Sequence, residues 1–128
     1  MRAPRRASVP ESLRVDLVTR LERHASRKWK RECREVVVRF RGPHAYVDAF
    51  PAKQSYPPGA TKAEKAKIDV TPVHLCRLEY LGQSKQWGFA FFKYSDEKYE
   101  TAILPSGSFT GTLEECFDCA AMVYLQNW

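Results

Sequence analysis

Residues 73–125 constrain the fold of this 128-residue chain more than any other stretch. Two runs rich in aromatic and aliphatic side chains, 73–81 and 86–94, flank Gly82, Gln83, Ser84 and Lys85, which have the composition of a hairpin loop. Farther on, Thr112 and Glu115 read as a capping box, in which the threonine hydroxyl accepts from the Glu115 amide and the glutamate carboxylate reaches back. Leu113, Cys116, Phe117, Ala120 and Tyr124 then recur at helical spacing, so one face of that helix must pack on something apolar. Paired strands leading into an amphipathic helix require an α+β domain.

The N-terminal half repeats the logic. Ser8 and Glu11 read as a second capping box, with Pro10 in the first turn, where its missing amide is harmless. Leu13, Leu17, Leu21, Ala25 and Trp29 supply a buried stripe, which predicts a helix over 10–29. Residues 35–41 alternate Val36, Val38 and Phe40 with Val37, Arg39 and Arg41. Residues 45–50 alternate Ala45, Val47 and Ala49 with Tyr46, Asp48 and Phe50, and the turn at 42–44 joins the two runs as a hairpin. Residues 51–71 hold three prolines, a glycine and a Lys/Glu/Ala run without an apolar stripe, which reads as a mobile connection without secondary structure.

The third strand alternates Cys76, Leu78 and Tyr80 with Arg77 and Glu79. The fourth, 87–94, is apolar on both faces, as expected of a central strand or one closed by a partner. A turn at 95–98 leads into a fifth strand over 99–104. The expectation is one domain over 8–128 behind a disordered basic arm at 1–7. Its single, mainly antiparallel sheet of about five strands carries an N-terminal and a C-terminal helix.

Charge is distributed unevenly. Residues 1–41 hold 13 Lys and Arg against 5 Asp and Glu, and residues 42–128 hold 8 against 10, within a net charge of +6. A basic third on a nearly neutral body is the footprint expected for nucleic acid or an acidic protein surface, although a solvated helix would look the same. No apolar run approaches the length that crosses a bilayer, and no apolar segment follows the basic N-terminus, which predicts a cytoplasmic chain without membrane association. Four cysteines in a chain long enough to bury a core predict reduced thiols.

Motifs with catalytic force do not stand out. Cys116 and Cys119 lie inside a helix rather than at its N-terminus, and no second pair completes a metal set, so core packing is the better account and no metal or cofactor is expected. His24, His44 and His74 share no motif. Ser106 and Ser108 precede the C-terminal helix as a phosphate-binding loop would, but Glu114 and Glu115 already occupy the positive end of its dipole.

The open sheet face carries Arg39, Arg41, Tyr46, Asp48, Arg77 and Glu79, and one face of the fourth strand adds aromatic rings. Cations interleaved with rings can bind single-stranded nucleic acid. Cross-strand pairs, Arg39 with Asp48 or Arg77 with Glu79, would instead only stabilise the sheet. The leading expectation is a binding module that engages nucleic acid or an acidic partner through Arg20, Arg23, Arg27, Lys28, Lys30, Arg31 and Arg34, with Arg39, Arg41 and Arg77 on the sheet. The alternatives are a homodimer or adaptor that uses the sheet face, strand four and the C-terminal residues from Tyr124 to Trp128, and a small nuclease using His74 or His44 with Glu79 and Arg77.

Overall fold

In a computed structural model, which describes residues 7–125, the chain runs α1 (Glu11–Lys28), β1 (Cys33–Arg41), β2 (His44–Pro51), α2 (Lys62–Asp69), β3 (Val73–Tyr80), β4 (Trp87–Lys93), β5 (Lys98–Thr101), β6 (Thr110–Gly111) and α3 (Leu113–Tyr124). Arg2, Arg5 and Arg6 of the basic arm, and Trp128, lie outside the described residues. The strands form one antiparallel sheet in the order β1-β2-β3-β4-β5, with the short β6 on β4 beyond β5. The α+β class and the antiparallel sheet follow the alternation in the sequence.

That alternation sorts the two faces. Val36, Ala45, Val47, Ala49, Cys76, Leu78, Trp87 and Phe89 turn inward and meet Leu17, Leu21 and Ala25 of α1 and Leu113, Cys116, Phe117 and Ala120 of α3 in one core. Each fully buried large apolar side chain in such a core contributes about 1.5–3 kcal/mol. All four cysteines are free thiols, with Cys33, Cys76 and Cys116 buried. Burial pushes the Cys116 thiol up to about 12, and the nearby Glu115 charge adds to the effect. Desolvation, with the charge of Asp118, also raises Cys119. Both thiols are therefore poor nucleophiles.

Three expectations are corrected. Ser8 does not cap α1: Pro10 occupies the N-cap position, and no side-chain cap hydrogen bond forms among the described residues. The chain is anchored there by apolar burial instead. Val9 is 2 % exposed, its amide donates to the Gly42 carbonyl at 3.1 Å, and Arg14 Nε donates to the Val9 carbonyl at 3.0 Å. Second, the connection over 51–71 contains α2, closed by a capping box of Thr61 and Glu64. It lacks an apolar stripe because none of its residues is buried. Third, β5 stops at Thr101. Leu104 turns into the core against Gly111, where a Cβ would lie 2.5 Å from Leu104 Cδ1. The Thr112–Glu115 capping box forms as read.

A β-bulge decides what stands on the outer face. The β2–β3 register shifts between Val47 and Asp48, so that Leu75 and Cys76 are both fully buried and His74 falls opposite Asp48. Bulges re-aim side chains in this way without ending a strand.

Candidate nucleic-acid interface

The basic residues of the N-terminal third divide between two places: Arg20, Arg23 and Arg27 line one hollow on α1 with Asp16, His24 and Glu114, and Arg39 and Arg41 stand on the open sheet face. Arg20 grips Glu114 of α3 through two hydrogen bonds, Nη2 to Oε1 at 2.8 Å and Nε to Oε2 at 3.2 Å. Lys28 Nζ donates to Asp118 Oδ2 at 2.8 Å, while Trp29 Nε1 and His24 Nε2 meet Asp118 Oδ1 at 2.8 and 2.7 Å. These residues clamp α1 to α3. Burial opposes the Asp118 charge, but the bonds from Lys28, Trp29 and His24 outweigh it and hold the carboxyl below the usual aspartate range. Glu114 is likewise lowered, with desolvation outweighed by Arg20.

Of the remaining cations, Arg23, Arg27, Lys30 and Arg31 are exposed and make no ion pair among the described residues. Arg34 stacks over Phe50 at 5.0 Å and donates to the Asp69 carbonyl at 3.4 Å. The helix cations and those of the open sheet face therefore belong to different layers of the molecule.

Neither α1 nor α3 covers the opposite sheet face, and the register places its residues in rows. Arg39 pairs with Tyr46, Tyr46 with Arg77, Arg77 with Ala90 and Ala90 with Thr101. In the next row Val37 pairs with Asp48 and Asp48 with His74, and farther across the sheet Phe92 pairs with Tyr99. Because Ala90 is small, Tyr99 reaches across the sheet to Tyr46, with ring centroids 5.2 Å apart. Tyr99 also contacts Phe92 at 5.0 Å, and Phe92 contacts His74 and Tyr94, both at 4.7 Å. The aromatic character of both faces of β4 is thus resolved: one face enters the core and the other builds this cluster.

The guanidinium groups lie on the rings. Arg39 sits 5.4 Å from the Tyr46 centroid and Arg77 5.6 Å from that of Tyr99. Arg39 Nη2 also lies 3.5 Å from Asp48 Oδ2, the first of the two cross-strand pairs expected. The other oxygen of Asp48, which is 3 % exposed, meets His74 Nδ1 at 2.9 Å. His74 is therefore joined to Asp48 rather than to Glu79, which lies in the row of His44. Arg39, Phe40, Arg41, Tyr46 and Tyr99 line a hollow of about 450 Å³ with no carboxylate in its wall. The Tyr99 hydroxyl is buried and has no hydrogen-bond partner among the described residues, and desolvation with the Asp48 charge pushes its pKa up to about 12.

Reasoning from sequence placed Arg39, Arg41, Tyr46, Asp48, Arg77 and Glu79 together on this face. It missed Tyr99 and His74, although the alternation of β5 against Phe92 is a signal for the first. The second depends on the bulge. Tyr124, named with the C-terminal residues of the adaptor alternative, packs on Phe91 and Tyr94 and donates to the Phe92 carbonyl. No group of three or more potential metal ligands occurs among the described residues, and no helix there is long and apolar enough to cross a membrane. Compared with protein families, with curated proteins and with solved structures, the chain shows no significant match.

Proposed function

We propose that this protein binds single-stranded nucleic acid across the open sheet face. The observation that carries this reading is the hollow walled by Arg39 and Arg41 over Tyr46 and Tyr99, with Arg77 stacked beside it. Guanidinium groups there can neutralise phosphates while tyrosine rings accept a base, a combination with little sequence preference. Arg39 must divide its charge between ligand and Asp48, which makes Arg41 and Arg77 the stronger phosphate contacts.

Gel-shift titration with single-stranded RNA at ~50 and ~200 mM salt tests the proposal. Affinity falls steeply between the two salts. Tyr46→Leu loses roughly 1–3 kcal/mol of stacking. Absence of binding at the lower salt refutes the reading. RNA cleavage that His74→Ala abolishes would move it toward the nuclease alternative.

A further inference from the structure

The edge of the sheet beside α1 has the form of a strand-accepting groove. β1 ends the strand order, so one side of Cys33–Arg41 has no neighbouring strand among the described residues. α1 packs over β1 in the opposite direction, its start beside Phe40 and its end beside Cys33. Two hollows follow this line. One, of about 550 Å³, is mixed, with Glu22, Ser26, Lys30, Arg34 and Glu35 in its wall beside Ala25, Cys33, Val36 and Ala52. The other, of about 390 Å³, is formed by Val15, Val18 and Phe40 with Glu11 and Arg14 at its rim. Val15 is 66 % exposed, an apolar side chain turned toward solvent where the cleft opens.

We propose that this groove accepts an extended, acidic segment of another protein as an added edge strand, seating an apolar side chain against Val15, Val18 and Phe40. Main-chain hydrogen bonds to a free strand edge supply affinity in this mode, and pockets for alternate side chains supply specificity. Charge selects the occupant. At the apolar hollow Arg14 stands with Glu11, and on the open face of β1 Arg39 and Arg41, the latter without an ion pair among the described residues, would meet the alternate side chains of an added strand. Spacing excludes a second copy paired antiparallel through the same edge. Strands pair at about 4.8 Å, and because α1 stands over β1 the two helices would approach to a similar separation, where packed helices need about 8–10 Å.

The probe is a fluorescent octapeptide of alternating Asp and Leu, followed by anisotropy and by amide hydrogen exchange of the full chain. The peptide binds, exchange slows in β1, and Val15→Glu weakens binding by at least about tenfold while its circular dichroism and RNA titration stay those of the parent. N-methylation of alternate peptide amides, in either phase, abolishes binding in the phase that faces β1. No binding at about 1 mM peptide overturns the proposal. So does equal binding of both N-methylated peptides, or protection confined to the open sheet face. The two sites share Arg39 and Arg41, and Val15, which belongs only to the first, separates their failures: Val15→Glu lowers peptide binding and leaves the RNA titration unchanged.

Discussion

Asp48 holds a charge almost fully out of water on the face that α1 and α3 leave uncovered. Arg39 offsets that charge and His74 Nδ1 hydrogen-bonds to it, and both reach solvent, so their contribution is screened. Asp48→Ala should lower stability by about 1–3 kcal/mol, less than a fully buried pair would cost. The urea midpoint reads this, and an unchanged midpoint would assign the stability of this face to its rings alone. The cysteines give a second expectation at the same scale. Desolvation raises Cys76 well above its ordinary range, and Cys116 stands at about 12. At a pH of about 8 iodoacetamide should therefore leave both unmodified in the folded chain and label them once denaturant is added, as intact mass would show.

The clamp between α1 and α3 makes the helix layer sensitive to acid. Asp118 and Glu114 have folded-state pKa values below their ordinary ones. Their contribution is complete above the unfolded pKa of about 4 and is lost as pH falls through the folded value. Asp118→Asn should cost about 1–2 kcal/mol at neutral pH and flatten the loss of stability on acidification below about pH 4. Denaturant titrations at a series of pH values check both parts. A mutant with the parent's full acid dependence would remove Asp118 from the cause. At this scale α2 was hidden for a physical reason: it buries nothing, so its residues carry no periodicity, and only the Thr61–Glu64 pair marks its start.

Across the whole molecule, the basic residues divide between the helix layer and the open sheet face. If the sheet face binds RNA, replacing Arg39, Arg41 and Arg77 with Gln should weaken binding and flatten its salt dependence. The slope of log affinity against log salt should fall by about 0.7 for each phosphate that is no longer neutralised. Replacing Arg23, Arg27 and Arg31 should do much less. The reverse ranking, in the same gel-shift titration, would transfer the site to the helices.

Local chemistry in the chain was enough to determine α1 and α3, the two hairpins and the alternation that puts Arg39, Tyr46, Asp48 and Arg77 on one face. Helical and strand periods are written in neighbouring residues, and so is the Thr112 cap. Tertiary structure alone decided the rest. The pairing of Arg20 with Glu114 and of Lys28 with Asp118 joins residues about ninety positions apart, and nothing local distinguishes those cations from Arg23 and Arg27. The bulge that sets His74 against Asp48 arises from the registry of two strands, and the Tyr46–Tyr99 contact depends on the small Ala90 between them. Which charges stay available to a ligand is a property of packing across the sheet and between the helices, and a one-dimensional pattern does not contain it.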